Sequence, residues 1–159
     1  MKIKAIEVER YQDYKLPSMF VAFPKCSFKC EKECGKRVCQ NSALATAPVF
    51  EMDVNHIVEA YLNNPITSAV ILGGLEPFDS FEDMVDLVKT MRTVYHRDDT
   101  FVIYTGYTED EIATQLNVLK RYKNIIVKFG RFVPDDARRY DETLGVWLAS
   151  RNQYAIQIS

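Results

Sequence analysis

Thr67-Ser68-Ala69-Val70-Ile71-Leu72-Gly73-Gly74-Leu75-Glu76-Pro77-Phe78-Asp79-Ser80-Phe81-Glu82-Asp83-Met84 carries a strand, a glycine turn and the start of a helix in one short stretch. Thr67 to Leu72 is an apolar, β-branched run, and Gly73-Gly74 is expected to end it. A helix is predicted over 80–95. It opens on Ser-Phe-Glu-Asp, and Met84, Val85, Leu87, Val88 and Met91 follow at helical spacing. The same unit then recurs. Thr100 to Tyr104 reads as a strand, Thr105-Gly106-Tyr107 as a turn, and Thr108 to Tyr122 as a helix with Ile112, Leu116 and Leu119 on its apolar face.

Working outward, Lys2 to Glu9 and Ser18 to Phe23 read as strands. Asp53 to Asn64 reads as a helix capped by Asp53 or Asn55. Asn124 to Phe129 and Ala155 to Ile158 supply further strands, and the polar stretch 134–143 reads as a surface loop with some helical turn. Strands alternating with helices predict an α/β domain with a mainly parallel sheet. No linker, repeat or low-complexity segment divides residues 1–159, so a single domain is expected.

In such sheets the loops after the strands converge at one edge, where ligands bind. Three unusual segments follow strands: the cysteine loop 24–42, Gly73-Gly74-Leu75-Glu76-Pro77, and Thr105-Gly106-Tyr107. They are expected to meet there.

All four cysteines fall within fourteen positions, Cys26-Ser-Phe-Lys-Cys30-Glu-Lys-Glu-Cys34-Gly-Lys-Arg-Val-Cys39. A disulfide framework would spread them to close useful loops. Their crowding indicates soft-metal ligation or redox chemistry. Structural zinc is one reading, although its sites usually pair two short two-cysteine knuckles across a longer loop. An iron–sulfur cluster is the other. If three cysteines hold a [4Fe–4S] cluster, one iron is left for an outside ligand. Spacing alone allows Cys34 or Cys39 beside Cys26 and Cys30. Lys25, Lys29, Lys32, Lys36 and Arg37 make the segment locally positive, which suits a solvated loop, thiolate compensation or an acidic partner.

Apolar residues form 47% of the chain and charged residues 26%, with a formal charge of −2, so no basic excess points to nucleic acid. No segment approaches the ~20 apolar residues that span a bilayer, and the start does not look like a signal peptide. Clustered cysteines without an export signal imply a reducing, cytoplasmic setting. His56, His96, Tyr104 and Tyr107 read as surface or packing residues, and Met84 and Met91 as core.

Cys26-x3-Cys30 after an apolar strand, then Cys39-Gln40-Asn41, resembles the Cys-x3-Cys-x2-Cys loop of radical S-adenosylmethionine (SAM) enzymes. More narrowly, it resembles the anaerobic ribonucleotide reductase activating proteins. Val70-Ile71-Leu72-Gly73-Gly74-Leu75-Glu76-Pro77-Phe78 is similar to that family's Gly-Gly-Glu-Pro-Phe segment, and Tyr104-Thr105-Gly106-Tyr107-Thr108 to its Tyr-Thr-Gly-Tyr-Thr stretch. Ser150-Arg151-Asn152-Gln153 is similar to its Ser-Ser-Asn-Gln segment. The chain departs from the pattern in three places. Eight residues separate Cys30 from Cys39, Leu75 stands where a second glycine is usual, and Phe129-Gly130 stands where Asp-Gly is usual.

The resemblance implies a partial, shortened parallel β/α barrel of the radical SAM type, carrying a [4Fe–4S] cluster on Cys26, Cys30 and Cys39, with Cys34 as the alternative third ligand. It implies SAM near Asn41, Gly73, Gly74, Glu76, Thr105 and Gly106. Glycines 73 and 74 would admit the methionine end of SAM. Glu76 would accept from its amino group or orient the turn, and Asn41 would bond a cluster sulfur or cap the next helix. The implied activity is reductive cleavage of SAM to a 5′-deoxyadenosyl radical that generates a glycyl radical on the large subunit of an anaerobic ribonucleoside-triphosphate reductase. The implied electron donor is a low-potential carrier such as a flavodoxin.

Overall fold

Four apolar runs lie side by side in the computed structural model, which describes residues 1–159. They are β3 (Ser18–Phe23), β5 (Ala69–Gly74), β6 (Thr100–Tyr104) and β7 (Ile125–Phe129). β3 pairs with β5, β5 with β6, and β6 with β7, all in parallel. Every residue of β3, β5 and β7 is buried, which explains why these strands read as continuous apolar runs instead of alternating ones. Gly73 and Gly74 do not end the strand as expected. They extend it, opposite Ala22 and Phe23 of β3.

The outer strands make the sheet mixed. β2 (Ala5–Arg10) lies antiparallel to β3, and β10 (Tyr154–Gln157) antiparallel to β7, giving the order β10-β7-β6-β5-β3-β2. The first predicted strand is split, because β1 (Lys2–Ile3) leaves the main sheet to pair with β4 (Phe50–Glu51). Stretch 134–143 is no helical loop. It contains β8 (Arg139–Asp141), which pairs antiparallel with β9 (Val146–Leu148), a strand the sequence reading did not anticipate.

The connections between parallel strands carry α3 (Val54–Leu62), α4 (Phe81–Thr93) and α5 (Ala113–Leu119). Asp53 caps α3 by accepting from Asn55 N–H at 2.8 Å, so of the two candidates it is the N-cap. The α5 helix starts later than its pattern suggests, after a 3-10 turn over Asp110–Ile112. Ile57, Val58 and Tyr61 of α3, Met84, Leu87, Val88 and Met91 of α4, and Leu116 and Leu119 of α5 pack on one sheet face. They meet Met19, Val21, Leu72, Phe101 and Phe129. Truncating a core aromatic such as Phe101 to Ala costs about 3–5 kcal/mol. The other face holds Phe20, Ala22, Ile71, Val102 and Ile126, covered by Tyr14, Leu144 and Leu148 rather than by these helices. His56 and His96 are exposed as expected. No helix is long and apolar enough to cross a membrane.

Candidate functional site

The sheet face opposite α3, α4 and α5 opens into a cavity of about 270 Å³ at the carboxyl ends of the parallel strands. Phe20, Ile71 and Tyr104 line it from the sheet. Cys26, Cys30 and Cys39 line it from the cysteine loop, together with Gly73, Gly74, Glu76, Thr105 and Gly106 from the two turns, and Asn41. The three segments that the sequence placed at one edge therefore share one cavity. Cys34 is not among its lining residues.

All four cysteines are free and half-buried. Pro24 leads out of β3 to Cys26, while Cys30 and Cys34 ride on α1 (Lys29–Cys34), a short helix inside the expected loop. Phe28 enters that helix in a left-handed conformation at φ 51°, and its N–H points at Cys26 Sγ, 3.2 Å away. Burial pushes the Cys26 thiol up to about 11, the Phe28 N–H opposes this, and the Glu76 and Asp79 carboxylates add to it. Burial also raises Cys30, opposed by the Glu31 N–H and reinforced by Cys39. Burial favours the protonated form of both thiols, so a metal that binds them must displace their protons. Cys34 instead spends its thiol in its own turn, facing Glu31 O at 3.7 Å and Lys36 O at 3.4 Å.

Asn41 stands at the N-cap of α2 (Ser42–Thr46) but makes no side-chain cap there. Its Nδ2 donates to Gly74 O at 2.6 Å, tying the end of the cysteine loop to β5. Gly74 has φ 83°, and a Cβ on it would lie 2.8 Å from Ala22. A Cβ on Gly73 would meet the Phe20 ring at 3.0 Å. Gly74 is thus required by the neighbouring strand, whatever ligand approaches it, whereas a side chain at Gly73 would need the Phe20 ring to give way.

Glu76 is 6% exposed and its bonds run to the protein. Oε1 accepts from Thr105 Oγ1 at 2.8 Å and Phe78 N–H at 3.2 Å, and Oε2 accepts from Gly106 N–H at 2.9 Å. Of its two anticipated roles, orienting the turn is the one these bonds perform. Burial pushes its carboxyl up to about 7 against those donors.

Sequence reasoning missed two groups. Asp79 Oδ2 accepts from Ser27 N–H and Oδ1 from Tyr107 O–H, each at 2.6 Å, so one carboxylate clamps the cysteine loop to both turns. Tyr107 is more than a packing aromatic; burial and Asp79 push its phenol up to about 12. Lys128 also lines the cavity; its Nζ donates to Gly130 O at 3.0 Å, and burial pulls it down to about 8, with Glu76 opposing. A lysine inside Ile125-Ile126-Val127-Lys128-Phe129 was the available clue. The Ser150–Gln153 segment shapes the neighbouring loop: Gln153 Nε2 donates to Gly130 O at 3.2 Å and Asn152 Nδ2 to Arg131 O at 2.8 Å.

No three His, Cys, Asp or Glu side chains converge on a single point. A cubane cluster instead takes one thiolate per iron and spreads its ligands, which the donor set along this cavity suits. Fold and site together define an α/β protein with soft-metal thiols at the carboxyl edge of a parallel sheet. The chain belongs to the 4Fe-4S single cluster domain family, which matches residues 17–156, and it is an iron–sulfur protein. No curated protein and no solved structure matches it.

Proposed function

We propose that this protein is a radical SAM activating enzyme whose [4Fe–4S] cluster is held by Cys26, Cys30 and Cys39, and whose protein substrate is an anaerobic ribonucleoside-triphosphate reductase. The observation that carries the reading is the shared cavity: three thiols, the Gly73–Glu76 turn and the Thr105–Tyr107 turn line one space, and the fourth thiol does not. The shortened β/α barrel belongs to the same proposal. Its support is that α3, α4 and α5 all cover one sheet face, as in a barrel wall, whereas a doubly wound sheet carries its crossover helices on both; the opposite face carries the cavity beside Tyr14, Leu144 and Leu148.

When bound, cluster and SAM supply one-electron cleavage of a sulfonium, the chemistry needed to take a hydrogen atom from a glycine of the partner. The chain's residues do the rest. Cys26, Cys30 and Cys39 would hold the cluster. Lys128 offers a buried cation suited to the carboxylate of an amino-acid ligand. Glu76 keeps the Thr105 and Gly106 turn in place, and Asp79 fixes the start of the cysteine loop against Tyr107. Phe20 and Tyr104 give the cavity aromatic walls on the sheet side, which limit water at the reacting atoms.

Anaerobic reconstitution with iron and sulfide, followed by a reductant and SAM, should release 5′-deoxyadenosine. Adding the reductase should then give a glycyl-radical doublet in electron paramagnetic resonance. A colourless protein that retains zinc and never cleaves SAM would overturn the proposal. SAM cleavage without the doublet would redirect it to another protein substrate.

A further inference from the structure

The cysteine loop has two sides. Its inner side faces the cavity with Cys26, Cys30 and Cys39. Its outer side carries a second, shallow hollow of about 370 Å³ lined by Phe28, Glu31, Lys32, Gly35, Lys36 and Arg37. Lys32, Lys36 and Arg37 are exposed, and none of them pairs with a carboxylate of the chain. Nearby Lys25 is likewise exposed and unpaired.

The acids of the same segment offset only part of this charge, since Glu31 alone of them lines the hollow. Glu31 Oε1 accepts from Cys39 N–H at 3.2 Å, and Glu33 pairs with Arg131 at 3.0 Å. With three cations against Glu31, the patch keeps an excess of positive charge on a chain whose net charge is −2. Phe28 links the two sides, because its residue lines the outer hollow while its N–H faces Cys26 Sγ.

We propose that this outer side of the cysteine loop docks an acidic one-electron carrier protein. The inference rests on the reading that a cluster sits on Cys26, Cys30 and Cys39. A cluster that spends an electron in each reaction must receive one from outside. The inner cavity is taken by the reacting molecules, and the outer hollow is the charged surface on the same thiol-bearing segment. The transfer balances simply: the carrier is oxidised by one electron, the [4Fe–4S] cluster is reduced by one, and no bond forms or breaks. Opposite charge steers the two proteins together, so the encounter rate falls as salt rises.

The test compares two reductants on the anaerobically reconstituted protein, following loss of the cluster's visible absorbance by stopped flow. One is flavodoxin hydroquinone, an acidic carrier; the other is photoreduced 5-deazariboflavin, a small uncharged one. In the triple variant Lys32→Glu, Lys36→Glu, Arg37→Glu, reduction by flavodoxin should slow by about tenfold or more at low salt. Reduction by deazariboflavin should be unchanged. In the unaltered protein the flavodoxin rate should fall with added salt, a measurement that needs no variant. Equal flavodoxin rates in variant and parent, or a rate indifferent to salt, overturn the docking surface. A basic patch that retards an oligonucleotide, lost in the variant while the flavodoxin rate persists, overturns it in favour of nucleic acid. If deazariboflavin reduces no cluster in either protein, the failure belongs to the cluster reading instead.

Discussion

The turns that end β5 and β6 and the cysteine loop meet in one cavity, yet they are built in opposite ways. In the turns, Glu76 and Thr105 are buried and their polar atoms are partnered by backbone and side chain. In the loop, neither α1 nor α2 contains a buried residue. The loop hangs from a few polar ties: Asp79 to Ser27, Asn41 to Gly74, Arg131 to Glu33, and Lys4, whose Nζ donates to Ala45 O and Ala47 O at 2.8 and 2.9 Å. Segments with little burial open easily, whereas packed sheet ends open only with the whole domain. The difference teaches that the turns are a property of the sheet, while the loop gains its order from its ties and from the metal, whose binding energy is partly folding energy.

Ligand removal should sharpen that contrast most. Cys39→Ala should abolish stable cluster binding while Cys34→Ala retains it, as read by iron and sulfide content after reconstitution. The apo forms of both should unfold at the parent's denaturant midpoint. The reverse iron contents would reassign the third ligand.

Next in size, Gly74→Ala puts a Cβ at φ 83° and 2.8 Å from Ala22, so it should destabilise the apo protein by roughly 4 kcal/mol. Urea denaturation measures it. A neutral result would break the idea that the sheet end is rigid.

The pH dependence comes third. Glu76 titrates at about 7 in the fold and near 4.5 when unfolded. Between those values the folded state holds the extra proton, so stability falls as pH rises from about 4.5 to about 7, by up to about 3 kcal/mol. Lys128, lowered to about 8 from 10.5, acts in the opposite sense, adding stability as pH climbs from about 8 towards 10.5. Melting Glu76→Gln and parent at pH 5 and pH 7.5 should show the parent losing more over that interval. Equal losses would remove Glu76 as the cause.

The smallest effect belongs to the ties. Tyr107→Phe removes the bond to Asp79 and should make local opening of the loop easier by about 1 kcal/mol. Hydrogen exchange should rise around Ser27 and Phe28 and leave β5 and β6 protected. Uniform loss of protection would erase the distinction between loop and sheet.

Much of the sheet half was legible in the sequence. Strands buried on both faces leave unbroken apolar runs, so β3, β5, β6 and β7 could be placed, although Gly73-Gly74, read as the end of β5, extends it. Direction stayed hidden: Ala155 to Ile158 reads as a strand, but nothing in it shows that β10 runs antiparallel to β7. The hairpin over 139–148 was lost because its exposed Arg139, Tyr140 and Trp147 give no apolar period. Asp79 looked like one more helix-start acid, and its clamp spans 52 residues to Ser27 and 28 to Tyr107, separations no local pattern records. Lys128 shares the cavity-side face with Ile126, but alternation means little in a strand whose neighbours are all buried.

The cysteine loop is suspended at Phe23, where β3 ends, and at Asn41, where the side chain reaches Gly74. Eight residues separate Cys30 from Cys39, and the stretch they occupy bulges outward as the end of α1 and the turn through Gly35, carrying Lys32, Lys36 and Arg37. No strand pairing in the sheet involves that bulge. It is thus a cassette: its length and charge can diverge while the thiol anchors and the sheet stay in register. One scaffold can in this way change the proteins it answers to without rebuilding the chemistry it performs.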